Sequence, residues 1–287
     1  MPTFTAPDGT LLAYRVIESD CGDGEPLLCL PGGPMRAAAY LGDLGGLARH
    51  RRLVLLDLRG TGASGTPSDP ATYRCDRQVA DVEALREHLG LDRIDVLAHS
   101  AAGDLALLHA ARYPHRIRSL TLVTARARCL GVDFTVAHRH EGAALRAGEP
   151  WFAAARDAYE RIWAGTAADA DWEAALPFFY GRWDAAAKAH AESEVAQTNE
   201  EAARMYASPG AFGSVAENRT ALAALDAPVL ILAGEWDTGP LPRTAATVAS
   251  LLPRAETVVQ PAAGHHPWLD DPGQFTRIVA EFLARAA

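Results

Sequence analysis

Two short runs, PLLCL (26–30) and RLVLLDL (52–58), are apolar at almost every consecutive position. A strand with one face in water alternates apolar and polar side chains, so an unbroken run asks for cover on both faces, as in a parallel sheet layered between helices. The neighbouring segments supply those layers. LLAYRVIE (11–18), IDVLAHS (94–100) and IRSLTLVTA (117–125) read as further strands, and DRQVADVEALREHLG (76–90) and AAGDLALLHAARY (101–113) as helices. Strand and helix alternate, which predicts the α/β class with parallel pairing. From about 126 to 225 the alternation stops and alanine-rich helical segments follow. It resumes with APVLILAGEWD (227–237), a helix near 243–252, AETVVQP (255–261) and a last helix, GQFTRIVAEFLARA (273–286). The expected organisation is a core domain of residues 1–125 and 226–287 carrying a helical insertion, 126–225, over one edge of the sheet.

The chain's 287 residues suffice for one such domain. Thirty-six acidic against 27 basic side chains, a net charge of −9, argue against a nucleic-acid partner, because phosphate binding needs clustered Lys and Arg and the arginines here are scattered. The opening MPTFTAPDGT lacks a basic and an apolar region, and no window approaches the ~18 apolar residues of a membrane span. The expectation is a cytoplasmic protein with no membrane partner. Cys21, Cys29, Cys75 and Cys129 are widely spaced without CxxC geometry, so free thiols are expected rather than a metal site.

Ser100 ends a predicted strand and opens a predicted helix, with Ala98 and Ala102 two residues to either side and Gly103 next. Such a position suits a nucleophile elbow, where small neighbours avoid collision with a sharply folded backbone; it also suits a helix N-cap. A serine nucleophile needs a base, and the base an orienting group. Asp237 follows the strand VLILAG, where open parallel sheets collect their functional groups, and His265 lies in the loop after the next strand. The order Ser, Asp, His is that of α/β-hydrolases, and the agreement of three positions favours the nucleophile reading. His266 is the rival base and Glu235 the rival carboxylate. The pleat turns His99 away from the elbow, which indicates packing. His138 and His140 in HRH read as a solvated face rather than metal ligands.

Attack on a carbonyl develops charge on its oxygen, which two backbone amides can hold. Ala101 follows the nucleophile at a helix N-terminus, and Gly33, beside Gly32 in PGGPM (31–35), supplies the second; a simple turn is the alternative use of that loop. GTGASG (60–65) fits the GxGxxG dinucleotide pattern, but Pro67 and Pro70 follow where a helix should open, so no cofactor is expected there.

LPGGPM, LDLRGTGASG, QVADVEALREHLGLDRIDVLAHSAAGD, LILAGEWDTGPLP and AAGHHPWLDDP together resemble the α/β-hydrolase superfamily and, within it, the proline iminopeptidase-like branch of serine peptidases and esterases, over nearly the whole chain. The resemblance implies a mostly parallel eight-stranded sheet flanked by helices, a helical cap over the triad, no metal or organic cofactor, and a small-molecule or short-peptide substrate. That branch carries HGGPG and GGSWG or GHSWG, so Pro31 stands for its His, Met35 for its last Gly and Ala101 for its Trp. The insertion holds four of six tryptophans (Trp151, Trp163, Trp172, Trp183) and the cluster LPFFYGRWD. Phe179, Trp183, Tyr206, Trp236 and Gly32 are assigned to the substrate pocket, although core packing is the ordinary use of such aromatics. An aminopeptidase must also pair the substrate ammonium; Glu200 and Glu201, or Glu217, are the candidates against solvated helix charge. The expected activity is an iminopeptidase-like amide hydrolase, the alternatives an ester, lactone or thioester hydrolase and a cofactorless non-hydrolytic enzyme of the same fold.

Overall fold

The computed structural model describes residues 1–20 and 24–286; Cys21 lies outside them, and Cys29, Cys75 and Cys129 are buried free thiols. Eight strands form one sheet: β1 (Thr3–Thr5), β2 (Leu11–Ile17), β3 (Leu27–Leu30), β4 (Leu53–Leu56), β5 (Ile94–His99), β6 (Ile117–Val123), β7 (Val229–Gly234) and β8 (Ala255–Gln260), in the order β1-β2-β4-β3-β5-β6-β7-β8. β1 pairs antiparallel with β2, and β2 with β4; all other pairs are parallel. The helices are α1 (Cys75–His88), α2 (Ala102–Arg112), α3 (Val136–Ala144), α4 (Phe152–Ala164), α5 (Asp169–Ala175), α6 (Ala185–Glu192), α7 (Glu194–Gln197), α8 (Glu200–Tyr206), α9 (Val215–Leu222), α10 (Pro242–Ala249), α11 (Pro267–Asp270) and α12 (Pro272–Ala286).

The unbroken apolar runs have the expected cause. Val54, Leu56, Val96, Ala98, Leu120, Leu122, Val229 and Ile231 point to one face, under α1, α2 and α10. Leu53, Leu55, Leu97, Val123, Leu230 and Leu232 point to the other, under Phe275, Val279, Phe282 and Leu283 of α12. Every residue of β3, β4 and β5 is therefore buried, and truncating a central one such as Leu97 to alanine costs about 2–5 kcal/mol.

β3 lies between β4 and β5, so the chain leaves β3 towards one side of the sheet and resumes on the other. The carboxyl ends of β3 and β5 flank the crevice this reversal creates, the usual place for a ligand in an open α/β sheet. Leu30 pairs with Ala98, which sets the loop after β3 against His99 and Ser100.

Residues between β6 and β7 contain no named strand, as expected, but their packing divides the expected block. Ala143, Ala155, Tyr159, Ile162, Ala175 and Phe178 form a separate apolar cluster, with Tyr180, Ala187 and Ala191 in another. Ala202, Tyr206, Leu222 and Leu225 instead join the main core beside α2. The reason is the apolar surface of the core on this side, where α9 packs against α2 and α8 against the short turn Pro70–Tyr73.

Candidate active site

Ser100 sits at φ +53°, a left-handed conformation that costs a non-glycine residue about 1 kcal/mol or more and persists only where the surroundings impose it. Three hydrogen bonds hold it: its amide donates to the Val123 carbonyl at 3.1 Å, and its own carbonyl accepts from the amides of Gly103 at 3.0 Å and Arg126 at 2.9 Å. The space is also tight at two glycines. A Cβ on Gly103 would stand 2.4 Å from the Arg126 carbonyl oxygen, and one on Gly32 would stand 2.8 Å from Ser100 Cβ. The turn aims the hydroxyl at His265, 2.8 Å from Nε2, and His265 Nδ1 lies 2.9 Å from Asp237 Oδ2. The carboxylate accepts, so Nδ1 carries the proton and Nε2 is free to accept from the serine. Asp237 is fully buried, and its Oδ1 accepts the Gly239 amide at 3.0 Å.

A second network lies behind this one. Tyr40 Oη is 2.7 Å from the Gly32 amide and 2.7 Å from His99 Nδ1, while His99 Nε2 is 2.9 Å from the His265 carbonyl oxygen. The directions follow from the acceptor: the carbonyl requires Nε2–H, so Nδ1 accepts the tyrosine hydroxyl, which in turn accepts from Gly32. His99 is thus neutral, and burial pushes its pKa well below the ordinary histidine value, helped by the neighbouring His265. His99 does point away from Ser100, but it ties the β3 loop to the histidine loop instead of only packing. No sequence signal marks Tyr40, which lies in a short 3-10 helix, Ala38–Leu41, between β3 and β4. Asp270 steadies the histidine loop from the other side, accepting amides of Gly264 at 2.8 Å and of Gly181 at 2.9 Å. Burial raises its pKa against those hydrogen bonds.

A family profile described as alpha/beta hydrolase fold matches residues 25–272. The chain belongs to this family. Among its relatives, 2-hydroxymuconate semialdehyde hydrolase of Pseudomonas putida is 27% identical over 95% of this chain and 92% of that one. A proline iminopeptidase of Heyndrickxia coagulans is 25% identical over 91% of each. A putative aryl esterase from Burkholderia cenocepacia superposes with a TM-score of 0.74 at 22% identity, over 99% of this chain and 98% of the other, a likeness of fold.

In this α/β hydrolase a cavity of about 1170 Å³ opens onto Ser100 and His265, with Gly33, Phe179 and Trp183 on its wall. Gly33 is exposed there, whereas Gly32 is buried with its amide on Tyr40. The Ala101 amide opens α2, and the first N–H groups of a helix have no partner within it. Glu200 touches the cavity but is exposed and lies 3.8 Å from Arg204; Glu201 and Glu217 are exposed and away from it. Tyr206 is fully buried in the core with its hydroxyl donating to the Ala101 carbonyl, and Trp236 stacks under Arg146 outside the cavity. Both are held by packing rather than facing a ligand.

The rivals are occupied elsewhere. Glu235 is exposed and accepts the Ala262 amide, and His266 is buried against Tyr180, its ring stacked at 4.8 Å. Residues 60–65 form a turn around Asp57, which accepts the amides of Ala63 and Ala38, and the next α-helix begins only at Cys75. His138 caps α3 with Thr135. Among the described residues no three His, Cys, Asp or Glu side chains are grouped to hold a metal ion, and no helix is long and apolar enough to cross a membrane.

Proposed function

We propose that this protein is a serine hydrolase in which Ser100 attacks a substrate carbonyl, His265 takes the hydroxyl proton and returns it to the leaving group, and Asp237 fixes the imidazole tautomer. Water, activated by the same histidine, then releases the acyl group. The amides of Gly33 and Ala101 receive the developing oxyanion, aided by the N-terminal dipole of α2. Residues 134–198 act as the cap. The observation that carries the reading is the continuous hydrogen-bonded line from the strained Ser100 through His265 to the buried Asp237.

The substrate is a small acyl compound, cleaved at an ester or similarly activated bond. An aminopeptidase needs a sheltered carboxylate for the substrate ammonium, and Glu200 and Glu201 stand in solvent. Turnover of p-nitrophenyl acetate alongside proline p-nitroanilide tests the choice: the ester is expected to be cleaved and the anilide not. Ser100→Ala is expected to lose at least about a thousandfold in rate. A variant retaining more than about a hundredth of the activity contradicts the nucleophile assignment, as does preferred cleavage of the anilide for the substrate class.

A further inference from the structure

One end of the cavity collects hydrogen-bond donors with too few acceptors. The Phe134 ring carries two guanidinium groups, Arg126 at 4.3 Å and Arg139 at 4.4 Å from its centroid, and Arg139 also lies 3.5 Å over Trp163. Arg126 pairs with the half-exposed Asp133 at 2.8 Å. Arg139 is only 9% exposed, and among the described residues it forms no ion pair. Around them Arg126 Nε is buried with no hydrogen-bond partner, and the Trp163 indole N–H and the Thr238 hydroxyl, also buried, have only the Tyr159 hydroxyl, shared with Arg139, within reach. Tyr159 adjoins Thr238, Arg139 and Trp163, so these groups share one space. Asp237 is near enough to act on Arg139, but both its oxygens are already engaged, by His265 and by the Gly239 amide.

Such an arrangement is costly without a facing anion. A buried cation without a counter-ion loses hydration that only a partner charge offsets, and burial accordingly pushes both guanidinium groups below their ordinary value. The carboxylates on the cavity wall do not answer them: Asp169, Glu173, Glu192 and Glu200 are exposed, and Glu194 pairs with Arg36 at 3.5 Å. Arg126, Phe134, Arg139 and Trp163 line the same cavity as Ser100, and the Arg126 amide donates to the Ser100 carbonyl oxygen. An anion bound here therefore occupies the same cavity as the reacting bond. A guanidinium fork matches a planar carboxylate, and Trp163 on the same wall carries a further N–H donor.

We propose that Arg126 and Arg139 form a carboxylate-binding subsite beside Ser100, so that the substrate is an acyl compound bearing a second, anionic carboxyl group. The inference rests on the serine hydrolase reading for its chemistry and adds the substrate class. Mono-4-nitrophenyl adipate and 4-nitrophenyl hexanoate present acyl chains of equal length with and without that carboxylate. The expected kcat/KM ratio favours the adipate at least tenfold, and Arg139→Gln reduces this ratio at least tenfold; Arg126→Gln serves where Arg139→Gln does not fold. Calorimetric titration of Ser100→Ala with monomethyl adipate reads the subsite without turnover, and binding is expected to weaken at least tenfold when Arg139→Gln is added. Cleavage of both esters without preference for the adipate overturns the subsite and leaves the hydrolase reading intact. Cleavage of neither, with adipate bound through Arg139, upholds the subsite and overturns the hydrolase reading; absence of adipate binding overturns the subsite.

Discussion

Replacing Tyr40 by phenylalanine removes one oxygen and leaves the ring, which packs against Trp268 and under Arg36. That oxygen lies 2.7 Å from both the Gly32 amide and His99 Nδ1, and all three residues are buried. Without it, one N–H and one imidazole lone pair lose their partners, and each unsatisfied buried group costs about 1–3 kcal/mol. The expected destabilisation is about 3 kcal/mol, near the lower half of that sum because the small void relaxes in part. Activity follows from the two ends of the network. Gly32 abuts Ser100, and His99 holds the His265 carbonyl, so both the β3 loop and the imidazole gain freedom. A loss of about 10–100-fold in kcat is expected, in line with the cost of misplacing catalytic groups by fractions of an ångström. Urea denaturation measures the first effect, and turnover of p-nitrophenyl acetate under saturating substrate the second. A stability change below about 0.5 kcal/mol together with kcat within twofold of wild type refutes the reasoning, since a buried pair of broken hydrogen bonds cannot be that cheap.

Gly32→Ala places a methyl group 2.6 Å from the His99 carbonyl oxygen, on the backbone, and 2.8 Å from Ser100 Cβ, bonded directly to it, so the elbow must shift. The expected result is a kcat at least about 100-fold lower with CD spectra like the wild type; retained activity shows the crevice to be looser than described. Acid stability provides a separate check. Burial holds His99 and His266 well below the ordinary histidine range and His190 at about 4. The unfolded chain therefore binds protons near pH 6.5 that the folded protein refuses, so their contribution is complete above that pH and is lost as the pH falls towards the folded values. Each group makes the slope up to about 1.4 kcal/mol per pH unit. Urea titrations between pH 6.5 and 5 are expected to show uptake of two to three protons on unfolding; uptake below one contradicts neutral burial of these rings. His109, lowered by burial in the same way, adds to this uptake, while Asp270 and Asp81, raised by burial, act in the opposite sense towards the acid end; Glu83 and Asp8, held down at about 2, act only in a more acidic window.

What the sequence makes legible here is whatever has a period or a punctuation mark. β3, β4 and β5 are readable because burial on both faces removes polar residues from them. The position of Ser100 is readable because it immediately follows such a strand, and those of Asp237 and His265 because each lies in the loop after a strand, β7 or β8. β1 escapes notice: three residues with one buried side chain carry no pattern. The helical block is visible as an absence of strands, but that absence does not distinguish α4, which packs with its neighbours, from α8 and α9, which pack on the core. Arg126 and Arg139 pass for solvated charge because their burial depends on Phe134 and Trp163 arriving from separate turns of the chain. Tyr40 is hidden for the same reason, its two partners lying 8 and 59 residues away.

Peptide-level mass spectrometry of the protein quenched during p-nitrophenyl acetate turnover, or after fluorophosphonate treatment, tests the covalent step directly. The covalent mechanism predicts the acyl or phosphonyl mass on Ser100, and its disappearance in Ser100→Ala. Modification of another residue, or continued ester cleavage by Ser100→Ala at wild-type rate with no adduct, contradicts it.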